Sequence, residues 1–217
     1  MKKKKGLICF DLDNTLIHSN KAHIISFQKS LRHHGYTNIT NKQLENRFGI
    51  SSRIYLKEFI PDASSKEIDS IIRLHSKYLK QTSKKYAHKI RGVMSTLKKL
   101  KKSYLLAIVT NCSKEDVDIF FRAVNLDRRL FDRIVYSTKK MHPKPAPDEI
   151  IRAEHLLHLK ADYMVGDTVY DILAAKRAKV KGIAVVSGLQ SKNKLKKAKP
   201  FKILNNLTEL PAFLKII

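Results

Sequence analysis

The run Gly6-Leu7-Ile8-Cys9-Phe10 is apolar, too short for a helix and the right length for a strand buried on both faces. It ends in Asp11-Leu12-Asp13-Asn14-Thr15-Leu16. Asparagine tolerates positive φ, so the chain can turn sharply at Asn14. Such a turn leaves Asp11 and Asp13 beyond the carboxyl end of the strand, where open α/β sheets bind ligands. Two carboxylates this close repel one another unless something positive lies between them, and a divalent cation meets that need.

The segment after this strand, residues 17–89, reads as all-helical. Ile24, Ile25, Phe27, Gln28 and Leu31 predict an amphipathic helix ending near Gly35. Thr40-Asn41-Lys42-Gln43 reads as a capping box for a short helix reaching Phe48. Another helix is expected over Arg53 to Phe59, and a longer one starts at Ser64-Ser65-Lys66-Glu67. From Gly92 onward helices alternate with short apolar runs: Tyr104 to Val109, Arg133 to Tyr136, Tyr163 to Val165, Ile183 to Val186 and a short Ile203-Leu204. Ser113 caps one helix, Pro147 opens the next, and Leu207, Leu210, Phe213 and Leu214 mark the last. Repeated strand–helix–strand units predict a parallel sheet with right-handed crossovers. The helical segment, inserted above the sheet edge that carries Asp11, is placed to be a lid.

With 217 residues, 43% of them hydrophobic, the chain can bury a sizeable core. No apolar run approaches the roughly 18 residues a membrane helix needs. Met1-Lys2-Lys3-Lys4-Lys5 resembles the start of a signal peptide, but Asp11 and Asp13 interrupt the apolar stretch that follows. A soluble, cytoplasmic protein is expected. Cys9 and Cys112 lack metal-ligand spacing and read as buried thiols, and the nine histidines read as surface or helix-face residues rather than a zinc site. The charge is unusual: 44 Lys and Arg against 19 Asp and Glu give +25. That balance favours anionic partners, nucleic acid among them. The lysines, at 2–5, 98–102, 139–144 and 192–202, do not alternate with aromatics in a recognisable nucleic-acid motif, so a solvated basic surface explains them as well.

Polar residues collect where the apolar strands end. Asp11 and Asp13 follow the first, Thr110 and Asn111 follow Val109, and Asp167, Thr168 and Asp171 follow the strand ending at Gly166. Lys144 sits in the loop His142-Pro143-Lys144-Pro145, stiffened by its prolines. In a parallel sheet these ends share one crevice. Carboxylates, a hydroxyl and an ammonium there suit a Mg²⁺-assisted reaction of a phosphate ester. Simpler roles exist for each: an Asx turn at Asp11 and Asp13, a strand-end cap at Thr110, a helix cap at Asp167 and Asp171, a solvated Lys144.

Taken together, Asp11-Leu12-Asp13-Asn14-Thr15-Leu16, Ile108-Val109-Thr110-Asn111, Lys144-Pro145 and Gly166-Asp167-Thr168 with Asp171 resemble, in order, the four motifs of the haloacid dehalogenase superfamily. The resemblance is to the branch with a helical cap after the first motif, which includes phosphoglycolate phosphatase-like enzymes. It implies an α/β fold: a Rossmann-like parallel sheet core over residues 1–16 and 90–217, with an all-helical cap over 17–89. It also implies that Asp11 attacks phosphorus to form an aspartyl-phosphate and that Asp13 is the acid/base. Thr110, Asn111 and Lys144 would bind phosphate. Asp11, Asp167 and the main-chain carbonyl of Asp13 would hold Mg²⁺, with Asp171 orienting Lys144 or a metal-bound water. Arg47 and Arg53 flank Gly49, where related enzymes carry a substrate-contacting loop; a solvated helix face is the alternative.

A dehalogenase or a phosphonatase of this superfamily would lack Asp13, so phosphoryl transfer to water from a small phosphate monoester is expected. A phosphomutase shares the same residues and stays open. The +25 charge leaves a second class open, a nucleic-acid-binding protein with or without phosphatase activity.

Overall fold

The computed structural model describes residues 6–138 and 140–216. The lysine run at 2–5 and Lys139 lie outside the described residues. β1 (Gly6–Phe10) is followed by β2 (Ile17–His18) and the helices α1 (Asn20–His33), α2 (Asn41–Glu45), α3 (Ser52–Phe59) and α4 (Ser65–Tyr86). β3 (His88–Lys89) and α5 (Val93–Lys101) lead into β4 (Tyr104–Thr110), α6 (Lys114–Val124) and β5 (Arg133–Tyr136). Then come α7 (Asp148–Leu157), β6 (Ala161–Gly166), α8 (Val169–Arg177), β7 (Lys181–Val185), α9 (Lys192–Lys197), β8 (Lys202–Leu204) and α10 (Leu210–Phe213).

Among the described residues the main sheet has six strands in the order β5-β4-β1-β6-β7-β8, and every neighbouring pair is parallel. This is the α/β, Rossmann-like architecture expected. β1 lies at the centre, hydrogen-bonded to β4 and β6, and all five of its residues are buried, which is why it reads as an unbroken apolar run. The carboxyl ends of β1, β4 and β6 therefore lie side by side.

Helices α1 to α4 pack on a cluster of their own. Phe27, Leu31, Leu44, Tyr55, Leu56, Ile68 and Ile71 are buried there together. Each such side chain removed from water is worth about 1.5–3 kcal/mol, so the segment is held by its own core as well as by the sheet. The Thr40–Gln43 capping box forms, and Ser64 accepts from Glu67 N at the start of α4. Contacts between α4 and α6 tie the segment to the sheet: Ser76 donates to Asp116 at 2.6 Å, and Lys80 pairs with Glu115 at 3.1 Å.

The structure corrects two expectations and adds one element. Residues 17–89 are not wholly helical: β2 and β3 pair antiparallel, Ile17 with Lys89 and His18 with His88, where the chain leaves and re-enters the sheet layer. Two residues per strand are too few to show a period of two. The lysine-rich stretch contains helix α9, capped by Ser191 and anchored by the buried Leu195, a single apolar residue that carries no periodicity. The helix after Thr40 stops at Glu45, and turns replace it through to Gly49, whose φ is +95°. No described helix is long and apolar enough to cross a membrane.

Candidate active site

The turn after β1 forms as the sequence demands. Asn14 has φ +56°. Its side chain donates to Asn20 Oδ1 at 2.7 Å, and its carbonyl accepts from Ser187 Oγ at 2.5 Å. Asp11 is held in register by its main-chain N–H, which donates to Val165 O of β6 at 2.9 Å.

Lys144 is the hub of the buried charge. Its ammonium donates to Asp11 Oδ1 at 2.6 Å, to Asp171 Oδ1 at 2.7 Å and to Val109 O at 3.1 Å. Burial alone would lower the lysine's pKa, but Asp11, Asp171 and Glu149 hold it well above the ordinary value. The peptide between Lys144 and Pro145 is cis. Asp171 serves two partners at once: Oδ1 takes the lysine, while Oδ2 accepts from Thr168 N and Oγ1 in the capping box that starts α8.

Asp167, at the end of β6, accepts from Thr15 Oγ1 at 3.3 Å. Asp11, Asp167 and Asp171 each bring a carboxylate oxygen within 4.8 Å of the others, and they are only 7%, 2% and 1% exposed. One ammonium cannot balance three buried carboxylates. Burial pushes Asp11 up to about 8, with Asp171 and Asp13 adding to the push against the pull of Lys144. The Lys144 contact alone would lower Asp11; desolvation and the neighbouring acids win. Asp167 is raised well above the usual range for the same reasons, burial first. An all-oxygen donor set carrying excess negative charge fits a hard divalent cation such as Mg²⁺.

Asp13 behaves oppositely. Burial would raise it, but contacts from His23, Cys112 and Ser19 outweigh that and hold it near 2. The Cys112 thiol donates to Asp13 Oδ2 at 2.8 Å, and His23 Nε2 lies 3.4 Å from Oδ1, an ionic contact rather than a short hydrogen bond. His23 itself is fixed by His75, whose Nε2 is 3.0 Å from His23 Nδ1.

Thr110 Oγ1, at the end of β4, accepts from Cys112 N at 3.1 Å, which leaves the hydroxyl proton free to be donated. Asn111 is placed differently. Its amide donates to Gly49 O at 2.7 Å and Lys144 O at 3.1 Å and accepts from Lys144 N at 2.8 Å. Its side chain holds main chain, tying the Gly49 loop to the Lys144 loop. Near the site, Arg47 pairs with Glu58 at 2.7 Å and Arg53 with Asp69.

Asp11, Asp13, Thr110, Asn111, Lys144, Asp167 and Asp171 thus line one cavity of about 900 Å³. Its other wall comes from α1 to α4 and includes Phe27, Phe48, Tyr55 and His75. Sequence reasoning missed His23, His75 and Asp116, which the packing of α1, α4 and α6 brings beside Asp13, and it missed the contact of Cys112 with Asp13, where burial and the acids Asp13 and Asp116 hold the thiol well above its usual range. Glu149, in the first turn of α7, is fully buried with no hydrogen-bond partner for either oxygen among the described residues, and burial raises it to about 7.

Comparison with known proteins agrees with this geometry. A sequence profile of the haloacid dehalogenase-like hydrolases matches residues 8–185. Pyrophosphatase PpaX of Bacillus mycoides is 27% identical over 210 residues, 95% of this chain and 95% of that protein. A hydrolase from Pseudomonas syringae has the same fold, with a TM-score of 0.86 at 21% identity over 97% of this chain and 98% of that one. So does CbbY from Rhodobacter sphaeroides, solved in complex with phosphate, with a TM-score of 0.81 at 21% identity over 94% of this chain and 95% of that one. The matched profile covers most of the chain, and the chain belongs to the haloacid dehalogenase-like hydrolase family.

Proposed function

We propose that the protein is a Mg²⁺-dependent hydrolase of a small phosphate monoester, working through an aspartyl-phosphate in the manner of phosphoglycolate phosphatases. The observation that carries this reading is the set of three buried carboxylates, two of them bonded to the Lys144 ammonium, with a fourth carboxylate, Asp13, lining the same cavity.

In this reading an Asp11 oxygen attacks phosphorus as the bond to the leaving oxygen breaks, and Asp13 gives that oxygen a proton. Water then attacks the aspartyl-phosphate, Asp13 takes its proton, and the Asp11 carboxylate is restored as phosphate leaves. Asp11, Asp167 and the main-chain carbonyl of Asp13 would hold the metal. The cation, when bound, supplies positive charge that lets an anionic phosphate approach the Asp11 carboxylate. Thr110 donates its hydroxyl proton to a phosphoryl oxygen. Lys144 exchanges part of its contact with Asp11 for the substrate, steadied throughout by Asp171 and Val109 O. Residues 17–89 act as the cap domain and residues 1–16 with 90–217 as the core. Closure sets Phe27, Phe48 and Tyr55 over the phosphate and excludes water.

The test is phosphate release with Mg²⁺ and with EDTA. The substrates are p-nitrophenyl phosphate and a panel of phosphoglycolate, pyrophosphate, sugar phosphates, nucleoside monophosphates and phosphorylated oligonucleotides. Pyrophosphate is included because a relative bears the name pyrophosphatase. Asp11→Asn should lower turnover on the order of 10⁴-fold or more. No metal-dependent release from any of these compounds would overturn the proposal.

A further inference from the structure

Beside the proposed phosphoryl site, three side chains of different chemistry converge. Asp13 on the turn after β1, His23 on α1 and Cys112 between β4 and α6 each bring one donor atom within 4.8 Å of the others. The thiol touches Asp13 Oδ2 at 2.8 Å, and His23 Nε2 stands 3.4 Å from Oδ1, a buried oxygen with no hydrogen-bond partner among the described residues. All three residues line the cavity.

We propose that the side chains of Asp13, His23 and Cys112 form a binding site for a borderline-soft divalent cation of the Zn²⁺ type, distinct from the all-oxygen Mg²⁺ set of Asp11, Asp167 and the main-chain carbonyl of Asp13, and that its occupation inhibits the enzyme. One oxygen, one nitrogen and one sulfur suit Zn²⁺, whereas Mg²⁺ demands oxygen. Tetrahedral bonds of about 2.0–2.3 Å set ligand atoms roughly 3.3–3.7 Å apart. His23 Nε2 already has that spacing to Asp13 Oδ1, while Cys112 Sγ lies 2.8 Å from the other oxygen, Oδ2, so a cation held by one Asp13 oxygen needs a small turn of the carboxylate within a set whose atoms lie within 4.8 Å of one another. Cation binding replaces the S–H···O bond with two metal bonds, and the thiol proton goes to solvent.

The histidine is prepared for such a role. His23 Nδ1 lies 3.0 Å from His75 Nε2, so an Nδ1 proton donated to His75 holds the ring in place while a cation displaces to solvent the Nε2 proton that otherwise faces Asp13. Three protein ligands leave a fourth position open to the cavity, as in sites that exchange their metal rather than bury it. An Asp13 carboxylate bound to a cation can neither give nor take a proton. The inhibition, unlike the binding, rests on the assignment of Asp13 as acid/base.

Co²⁺ titrated into the Mg²⁺-saturated protein tests the site by absorbance, with no need for turnover. Wild type should develop a thiolate-to-Co²⁺ charge-transfer band that Zn²⁺ bleaches. Cys112→Ser, which keeps a hydroxyl beside Asp13, should lack the band. His23→Gln should weaken Co²⁺ binding by at least the upper end of the roughly 10–100-fold that even outer partners of a metal site cost. A wild type without the band, or a Cys112→Ser protein that keeps it through Cys9, overturns the site. A failed phosphatase assignment leaves this readout untouched. Zn²⁺ inhibition, each protein referred to its own uninhibited rate, should persist under excess Mg²⁺ and weaken in Cys112→Ser. Equal inhibition of both proteins overturns the inhibitory role.

Discussion

His23 Nε2 lies 3.4 Å from Asp13 Oδ1, and this contact joins α1 to the carboxylate that the proposed mechanism uses as its acid/base. Burial alone would lower His23, but Asp13 and Asp116 hold it above its ordinary value, while it helps to hold Asp13 near 2. The pair biases Asp13 to the ionised form, the form that takes a proton from water. His23→Ala should therefore raise the Asp13 pKa and move the acid limb of the kcat profile, which contains the step in which Asp13 takes a proton from water, upward in pH. Asp13→Asn should cost the full general acid–base contribution of about 10²–10⁴-fold. An acid limb unmoved in His23→Ala would separate His23 from the chemistry.

The motif residues were legible because most sit at the end of an apolar strand, where a short stretch of sequence carries both the strand and its functional neighbour. Asp11, Thr110 and Asp167 follow this rule, while Lys144 was legible from the proline-flanked loop that follows β5. His23, His75 and Asp116 do not: they meet only because α1 and α4 pack against each other and α4 against α6, across contacts 52 and 40 residues apart in the chain. Asn111 shows the limit from the other side. Its place in the sequence motif predicted phosphate binding, whereas its side chain is spent on the main chain of Gly49 and Lys144. The β2–β3 ribbon and α9 were hidden by brevity, with one or two residues each to carry a pattern.

The metal-free protein should lose stability as pH rises from about 4 to 8. Asp11, raised to about 8, and Glu149, raised to about 7, bind protons in the folded state that they have lost in the unfolded chain at the same pH. The folded state then holds the larger number of protons, so unfolding free energy falls with pH. His23 acts in the same direction, because a raised histidine stabilises below its ordinary pKa and loses that contribution as pH climbs through the raised one. Asp13 opposes them only between about 2 and 3.8, outside this window, and His75, which burial holds well below its ordinary pKa, opposes them on the acid side of the window without outweighing the carboxylates. Mg²⁺ should restore most stability at the alkaline end, where the carboxylates are charged. Thermal melts with EDTA and with Mg²⁺ across the range give the comparison, and a metal-free curve that rises with pH would contradict it.

Lys144→Met should destabilise the metal-free protein by about 3–5 kcal/mol at neutral pH, the cost of leaving one side of a buried ion pair uncompensated. The side chain is 2% exposed and its charge faces Asp11 and Asp171 at 2.6 and 2.7 Å, so water cannot take its place without opening the loop. Urea denaturation at neutral pH measures the loss. Repeating it in acid, where the carboxylates of the variant are neutral, should shrink the difference. A cost that does not depend on pH would mean that packing of the lysine stem, not its charge, is what matters.

Gly188→Ala should weaken Mg²⁺ binding by about 10–100-fold while leaving the fold intact. A Cβ at this position would stand 1.7 Å from Asp167 Oδ2 and 2.7 Å from its Cγ, so the carboxylate must turn or the loop must retreat. Ser187 Oγ, bonded to Asn14 O at 2.5 Å, opposes that retreat, which leaves Asp167 to give way and break its contact with Thr15. Gly35→Ala is the matched control. Nothing lies within 4 Å of a Cβ there, but φ is +83°, so it should cost about 1 kcal/mol or more of stability with no change in metal affinity. Calorimetric Mg²⁺ titration beside urea denaturation separates the two effects. If Gly188→Ala binds Mg²⁺ as tightly as wild type, Asp167 does not hold the metal with the oxygen that Gly188 leaves room for.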